Sequence, residues 1–433
     1  MDLSLFSSLW AYSSVWLFFY YLAYLKFSNS AMVVTPILVY FVFLVIFEWL
    51  CYLYLPTILG IVLFSSVCWY VQSIVFPRRM LPVADKAVFI TGCDSGFGKV
   101  TAHKLDKMGF KVIASVLDLQ SSGAKVLQET CSDTLTIIQM DLTKPGDIKK
   151  AHQIIKEKTA ETGLWALVNN AGICTYFGDA ELTLMSTYRS CMEVNFLGTV
   201  ELTKTLLPML RSSKGRIVTI SSPAAELPLP LLAAYGASKA ALSRVMDTFY
   251  HELVPWGVNV SVILPGSYKI GTDNKIHWET QYKKLLASLP SEVLQEYGKE
   301  YIYEMHNFIL NAGKVASSDL SPVVDNIIDA ILSENPKVKY YDGVWPRLLL
   351  FIGHYLPHGI SDKVCKSVFQ KAGSCPESFK SGSTMNKINS IIHLIPFMNR
   401  FSGDQNGEVP SSTLNNKQSS SFQAPCSTSG SSG

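Results

Sequence analysis

Residues 87–98 read AVFITGCDSGFG, an apolar run that ends in a glycine-rich turn and leads into a helical pattern. A turn of this kind, between a strand and a helix, lets backbone N–H groups approach a pyrophosphate at a helix N-terminus, where the helix dipole favours anions. The glycines are spaced GxxxGxG rather than GxGxxG. The stretch therefore predicts a dinucleotide-binding α/β fold. The residues expected to line the turn are Gly92, Ser95, Gly96, Phe97 and Gly98.

Short apolar runs alternate with helical patterns along the rest of the chain. Six runs follow the first one: KVIASV, LTIIQMD, LWALVNN, GRIVTISS, VNVSVILPG and KVKYY. Helical patterns lie between them, among them residues 185–210, 235–254 and 323–333. This alternation predicts a doubly wound, parallel Rossmann-type sheet with helices on both faces. Residues 267–316 depart from it after the sixth strand, at the sheet edge where ligand clefts open.

Tyr235 and Lys239 stand four residues apart in YGASK, thirteen residues after Ser222. On a helix this spacing places the phenol and the ammonium on one face. A phenol with a pKa of about 10 is a weak base at neutral pH, but a fixed ammonium and a cationic nicotinamide both favour the phenolate. The YxxxK pattern is weak alone. Together with the glycine turn, Ser222 and NNAG at Asn169–Gly172, it predicts a hydride-transfer site.

Asp118 lies at the carboxyl end of the second predicted strand, just past KVIASV and 26 residues after Gly92. A carboxylate at this place accepts hydrogen bonds from the hydroxyls of the adenosine ribose and repels a 2′-phosphate. The following stretch has no Arg or Lys before Lys125, and Lys99 lies one turn into the first helix. The sequence therefore favours NAD over NADP.

Residues 1–80 are expected to form a membrane anchor of two or three helices, three being preferred. Apolar segments cover roughly 4–25, 31–50 and 57–76, each close to the ~20 residues that a bilayer core requires. Lys26 follows the first segment, and the pair Arg78 and Arg79 follows the last. Under the positive-inside tendency, these charges place the domain that follows, residues 81–372, on the cytosolic side.

Composition excludes several other classes of protein. The 433 residues carry a net charge of +3 without a basic run interleaved with aromatics, so no nucleic acid partner is expected. Nine cysteines, an odd number without CxxC spacing or neighbouring histidines, predict neither a metal site nor a disulfide framework and suit a reducing compartment. Residues 373–433 become polar and are expected to be a disordered tail.

Taken together, these motifs resemble the short-chain dehydrogenase/reductase family, over roughly residues 80–365. The resemblance implies roles for particular residues. Asn195 would kink the backbone and hold a proton-relay water, Ser222 would bond the substrate oxygen, and Tyr235 would be the acid/base. Lys239 would contact the ribose and control the phenol. The positions implied to bind the cofactor are Gly92, Ser95, Gly96, Phe97, Gly98, Asp118, Asp141, Asn169, Tyr235, Lys239 and Pro265.

Within that family the resemblance is to steroid dehydrogenases of the endoplasmic reticulum membrane that face the cytosol. It implies NAD-dependent oxidation of the 11-beta-hydroxyl of a glucocorticoid to the ketone, in a possible homodimer. A 17-beta-hydroxysteroid or retinol remains an alternative substrate. A hypothesis of another class is a non-catalytic, NAD-binding membrane protein. The chain departs from the family pattern after Pro265-Gly266, where Ile270 replaces a threonine that often holds the nicotinamide, with Thr272 two residues further on.

Overall fold

Seven apolar runs form one parallel sheet in the computed structural model, which describes residues 10–21, 34–75, 79–176, 178–270 and 275–355, with 357, 359 and 363. The strand order is β3-β2-β1-β4-β5-β6-β7, and every neighbouring pair is parallel. The predicted doubly wound parallel sheet is therefore confirmed. The strands are β1 (Ala87–Ile90), β2 (Lys111–Val116), β3 (Thr136–Gln139), β4 (Ala166–Asn169), β5 (Arg216–Ile220), β6 (Asn259–Leu264) and β7 (Lys339–Tyr341).

Helices precede the sheet, connect its strands and follow it. The N-terminal ones are α1 (10–21), α2 (Val34–Tyr54) and α3 (Thr57–Val75). Those that connect the strands or follow them are α4 (Gly96–Lys107), α5 (Ser122–Thr130), α6 (Pro145–Lys158), α7 (Met185–Met192), α8 (Thr199–Ser212), α9 (Ala233–Leu253), α10 (Lys275–Ser288), α11 (Ser291–Tyr297), α12 (Lys299–Val315), α13 (Ser321–Leu332) and α14 (Val344–Tyr355).

Both faces of the sheet are buried because alternate strand residues feed two separate hydrophobic clusters. On β1, Val88 and Ile90 join the cluster formed with α4, α5 and α13, whereas Phe89 joins the cluster formed with α6, α8 and α9. A strand buried on both sides must be apolar throughout, which is why these runs do not alternate with polar residues. The strand order reverses between β1 and β4, and ligands bind such sheets at this switch point, outside the carboxyl ends of the strands.

The helical pattern predicted over residues 185–210 is interrupted. Between α7 and α8 the chain forms one wide π turn, Glu193–Gly198. Two features accompany this π turn. Asn195, in the middle of the turn, bonds the main chain of Ile173 through its side chain. Gly198 packs so closely on the main chain that a Cβ there would lie 2.4 Å from the Leu142 carbonyl oxygen. A π turn of this kind is common at functional sites.

Residues 275–315 form α10, α11 and α12, an insertion over the carboxyl edge of the sheet. Their apolar side chains cover the loop after β4 in a cluster that we call the roof cluster. Its buried members are Tyr176, Leu182, Leu285, Ile302 and Met305. The sequence predicted a departure from the alternation of strands and helices in this region, and the insertion is that departure. It lies at the carboxyl ends of the strands, on the same side of the sheet as the switch point.

The chain enters the sheet at the opposite side, where the amino ends of the strands lie. Met80 pairs with Ser333 in an antiparallel bridge, and Leu81 N–H donates to the Leu332 oxygen at 2.7 Å. The Arg79 oxygen accepts from Glu334 N–H at 2.9 Å. This linker therefore lies at the amino ends of the strands.

The N-terminal helices pack on one another through Tyr12, Leu44 and Phe64. Across the residues that the structure covers, no helix combines the length and apolarity needed to cross a membrane. Residues 373–433, predicted to be a disordered tail, lie outside the described residues.

Replacing Leu206 by alanine should destabilise the protein. Leu206 is fully buried between α8 and the sheet, and removing a buried leucine side chain costs about 2–5 kcal/mol of unfolding free energy through lost burial and an unfilled cavity. Thermal or urea unfolding of the full chain in detergent measures the change. Leu197→Ala, at a side chain that is 47% exposed, is the matched control. Equal losses from the two variants would contradict the assigned core.

Candidate active site

The glycine turn has no room for side chains at two of its glycines. Gly92 has a φ of +70°, and a Cβ there would lie 2.8 Å from the Ala171 Cα. A Cβ on Gly98 would lie 2.4 Å from both the Asn170 Nδ2 and the Gly92 oxygen. The turn runs directly into the N-terminus of α4, whose N-cap residue is Ser95. Such a close-packed turn is suited to backbone contact with an anion.

The turn is fastened to the end of β4 by Asn170 and Thr91. Asn170 Nδ2 donates to the oxygens of Thr91 and Gly92 at 2.8 and 2.9 Å. In return, Thr91 Oγ1 accepts from the main-chain N–H groups of Asn170 and Ala171 at 3.0 and 2.9 Å. The ends of β1 and β4 are thereby held in one geometry.

The side chain of Asn169 lies elsewhere. Its Nδ2 donates to Thr203 Oγ1 at 3.0 Å and Thr219 Oγ1 at 3.3 Å, on the α8 face of the sheet. The implied contact of Asn169 with the cofactor stays a prediction. Asn170 is the asparagine that reaches the turn.

Asp94 joins the turn to the end of β2. Its carboxylate accepts from Leu117 N–H at 2.9 and 3.0 Å and from Asp118 N–H at 3.2 Å. Asp118 is exposed, and its Oδ1 accepts from Gln120 N–H at 2.9 Å. The predicted ribose-binding carboxylate is thus held beside the turn by a second acid, which the sequence analysis did not identify.

Asp141 follows β3 and is engaged with its own loop. Thr143 donates to Oδ1 through its N–H at 2.9 Å and its hydroxyl at 2.7 Å, and Lys144 Nζ lies 3.3 Å from Oδ2. Partial burial opposes ionisation, but these donors hold the pKa of Asp141 below its usual value. It remains a carboxylate at the edge where an adenine would lie.

Tyr235, in the first turn of α9, meets Ser222 at the end of β5. Burial raises the pKa of Tyr235 above its ordinary value, the nearby Cys174 thiol raises it further, and the hydrogen bond with Ser222 lowers it. Ser222 Oγ accepts from Ala224 N–H at 3.2 Å, which leaves its proton available for donation. The neighbouring Ser221 is instead paired with Ser243, Oγ to Oγ, at 2.6 Å, so the geometry favours Ser222 as the residue that faces Tyr235.

Lys239 is buried, with 3% of its surface exposed, and lies one helical turn after Tyr235. Its Nζ donates to the Ile220 oxygen at 2.8 Å and lies 6.0 Å from the centre of the Tyr235 ring. Burial lowers the pKa of Lys239 to about 8. In the protein alone the phenol of Tyr235 is not shifted towards phenolate, because burial raises its pKa.

Asn195 fixes the segment between the glycine turn and the catalytic helix. Its Oδ1 accepts from Ile173 N–H at 2.7 Å, and its Nδ2 donates to the Ile173 oxygen at 2.9 Å and to Ser238 Oγ at 3.0 Å. Ser238 Oγ in turn donates to the main-chain carbonyl oxygen of Tyr235 at 2.7 Å. A continuous hydrogen-bond path therefore joins Asn195 to the first turn of α9.

The segment after Pro265 folds over the glycine turn. A Cβ on Gly96, whose φ is +57°, would lie 2.8 Å from the Ile270 Cγ2. Phe97 packs edge-on against Tyr268, with ring centres 5.2 Å apart. Ile270 therefore packs against the glycine turn at the position where relatives often have threonine. Thr272, the alternative partner for the nicotinamide, lies outside the described residues.

The structure thus collects Ser222, Tyr235, Lys239 and Asn195 beside the glycine turn. Asn170, Asp94 and Ser238 were missed by the sequence analysis, although Asn170 is part of the NNAG motif that it used. In the described part of the chain, no group of three or more His, Cys, Asp or Glu side chains could hold a metal ion. The arrangement suits proton transfer beside a bound dinucleotide.

Comparison with known proteins agrees with this geometry. The chain is 50% identical over 335 residues to the 11-beta-hydroxysteroid dehydrogenase type 2 of Homo sapiens, covering 77% of this chain and 83% of that protein. It is 42% identical over 333 residues to the 17-beta-hydroxysteroid dehydrogenase type 2 of Homo sapiens, covering 76% and 86%. It is 37% identical over 294 residues to the mitochondrial D-beta-hydroxybutyrate dehydrogenase of Bos taurus, covering 65% and 84%.

The family model for short chain dehydrogenases matches residues 86–283, from the start of β1 into α10. This range contains the glycine turn, Asn195, Ser222 and the Tyr235–Lys239 pair. The resemblance inferred from the motifs is confirmed: the chain is an oxidoreductase that belongs to the short-chain dehydrogenase family.

Proposed function

We propose that this protein oxidises the 11-beta-hydroxyl of a glucocorticoid to the ketone, using NAD. The observation that carries the proposal is the meeting of Ser222, Tyr235 and Lys239 beside a glycine turn at the carboxyl edge of the sheet. The type 2 11-beta-hydroxysteroid dehydrogenase of Homo sapiens, identical at half of the aligned positions, supports this choice of steroid position.

The glycine turn fits the dinucleotide. Gly92 and Gly98 allow the tight turn, because a Cβ at either position would collide with neighbouring protein atoms, and the N-terminus of α4 favours a pyrophosphate. Bound there, NAD would supply the hydride acceptor. Asp118, held by Asp94, would accept the ribose hydroxyls and disfavour a 2′-phosphate, while Asp141 would face the adenine.

Proton transfer falls to Tyr235 and Ser222. Ser222 Oγ accepts one hydrogen bond from Ala224 N–H, and its own proton would bond the substrate oxygen as that oxygen becomes a carbonyl. Tyr235 Oη would take the hydroxyl proton as general base. The pKa of the phenol is raised in the protein alone, so the phenolate would depend on positive charge brought by the bound cofactor.

Lys239 and Asn195 would support that step. Lys239 spends one of its three donors on the Ile220 oxygen, which leaves two for the ribose of the cofactor. Gly172 keeps this space open, since a Cβ there would lie 3.1 Å from Lys239 Nζ. Asn195 would position Ile173 and, through the wide turn, hold a water that returns the proton to solvent.

The substrate is assigned as a steroid from the relatives and from the apolar roof cluster. A 17-beta-hydroxysteroid is the second candidate, because the type 2 17-beta-hydroxysteroid dehydrogenase of Homo sapiens is 42% identical. Retinol would also suit an apolar roof. A panel of 11-beta- and 17-beta-hydroxysteroids and retinol, each with NAD and with NADP, separates these candidates by kcat/KM.

We further propose that α1–α3 anchor the protein in the endoplasmic reticulum membrane, with the catalytic domain in the cytosol. Residues 3–77 contain only two charged side chains, Lys26 and Glu48, and large apolar side chains such as Trp49 and Ile58 are exposed. Self-association through α8 and α9, the surfaces that the family resemblance implies, would give a homodimer.

Tyr235→Phe should abolish turnover and leave NAD affinity nearly unchanged, because it removes the proton acceptor and little else. Lys239→Met should be comparably damaging and should also weaken NAD binding. Steady-state rates and NAD titrations on membranes measure both effects. Tyr250→Phe, on the same helix but about 22 Å further along its axis, is the control. Wild-type rates from the Tyr235 variant would remove it from the site.

Asp118→Ser should reduce the preference for NAD and allow more use of NADP. A lost charge-assisted hydrogen bond to the ribose corresponds to roughly 1–3 kcal/mol, and serine can still accept from Gln120 N–H. The ratio of kcat/KM for the two cofactors is the measurement. Asp133→Ser, at an exposed acid in the next loop, should leave the ratio unchanged. A wild-type enzyme that prefers NADP would overturn the assignment.

Protease added outside intact microsomes should destroy the catalytic domain if it faces the cytosol. A glycosylation acceptor engineered ahead of Leu3 should be modified if three helices span the membrane, because an odd number places the N-terminus in the lumen. Protection of the domain would refute the orientation. An unmodified acceptor with a digested domain would mean an even number of spans.

A further inference from the structure

The roof cluster lies directly against the loop that leads into the catalytic helix. Leu231, four residues before Tyr235, packs against the cluster. Gly178 N–H donates to the Leu231 oxygen at 2.9 Å, and a Cβ on Gly178 would lie 3.3 Å from the Met305 Cε. The loop after β4 is therefore held between the roof cluster and the segment that carries Tyr235.

The same loop runs from the catalytic groups into the roof. Cys174 is close enough to Tyr235 to raise the pKa of its phenol. Tyr176 comes two residues later, and two residues of extended chain span at most about 7 Å. Tyr176 therefore lies on the same short loop, at most about 7 Å of chain from Cys174.

Unpaired polar atoms are buried in this apolar roof. Tyr176 is 6% exposed and His306 is 2% exposed. Among the side chains that the structure describes, Tyr176 Oη and both ring nitrogens of His306 are buried without a hydrogen-bond partner. Glu279 Oε2 lies 3.5 Å from His306 Nε2 without making a hydrogen bond. The Tyr282 ring stacks on the imidazole, with ring centres 4.6 Å apart.

Buried polar groups left without partners cost free energy, and native structures seldom retain several together unless something satisfies them. The partner must be neutral and mainly apolar, because Leu285, Ile302 and Met305 surround the site. It must also offer an oxygen. Burial raises the pKa of Tyr176, so its phenol stays protonated and donates, and the imidazole of His306 has at least one N–H to donate. A hydroxyl or a ketone on a rigid apolar skeleton meets these requirements.

We propose that Tyr176 and His306 form a second recognition point, which binds an oxygen function of the substrate remote from the hydroxyl that is oxidised. This inference rests on the proposed function and deepens it, because it makes the enzyme selective for lipophilic alcohols with two oxygen functions. On a steroid, the second oxygen could lie on ring A or on the side chain. The chemistry is shared, so the experiment must distinguish the two ends.

The test compares three 11-beta-hydroxysteroids on the full chain in membranes. They are corticosterone, its 20,21-dideoxy analogue, which lacks both oxygens of the side chain, and an analogue of corticosterone without the ring A ketone. The variants are Tyr176→Phe and His306→Phe, which keep the aromatic rings. Tyr303→Phe, at a side chain of α12 that is 54% exposed, is the control. KM and kcat for each steroid are measured with NAD, and Kd is measured by equilibrium dialysis with NADH in its place, so that the steroid is not oxidised.

We expect the wild type to bind corticosterone about five- to tenfold more tightly than one of the two analogues, as one neutral hydrogen bond allows. Both variants should lose that margin through KM, with kcat unchanged, and should handle the deficient analogue as the wild type does. Which analogue loses affinity identifies the end that is recognised. The Tyr303 variant should match the wild type.

Equal losses for all three steroids would mean a purely structural role and would overturn the inference, as would no loss at all. In both cases oxidation of corticosterone by the wild type would leave the proposed function standing. Selective binding without oxidation would overturn the proposed function and support the recognition point. Failure to bind any of the three would overturn both.

Discussion

The site depends on the junction between the ends of β1 and β4. Asn170 bonds the backbone of the glycine turn, and Thr91 bonds the backbone that follows β4, so that two neighbouring strand ends share four hydrogen bonds. Gly92 is required because a Cβ would strike Ala171. The junction fixes the dinucleotide turn against the segment that Asn195 and Lys239 approach from the other side. Cofactor and proton-transfer groups therefore have one common support.

Much of the fold could be predicted from local pattern. KVIASV became β2 without a shift of either end, because a strand buried on both faces must be apolar throughout. NNAG contains two adjacent asparagines, and the motif alone does not show which of them faces the glycine turn. The alternation of side chains along a strand decides this. Leu167 faces α8, so Asn169, two residues further along, faces α8 as well, and Asn170 faces the turn. The signal was present in the sequence, but its use required knowing which face holds the cofactor.

Contacts between distant segments were beyond sequence reasoning. Tyr176 and His306 are 130 residues apart, and their burial under one roof depends on how α10 and α12 lie over the sheet. The electrostatics of the pair Tyr235 and Lys239 also depend on depth. Spacing predicts that the ammonium favours the phenolate, yet burial of both groups acts against both charges. Pattern identifies the reacting groups, whereas packing sets their acidity.

The linker at Met80 has a consequence for the supply of substrate. It joins the sheet at the amino ends of the strands, whereas Tyr235 and Ser222 lie beyond the carboxyl ends, and a six-residue strand separates these edges by about 20 Å. Val75, the last residue of α3, is only four residues before Arg79, or at most about 14 Å of chain. If α1–α3 anchor the protein as proposed, a lipophilic alcohol held among them would start on the side of the domain that faces away from Tyr235 and Ser222.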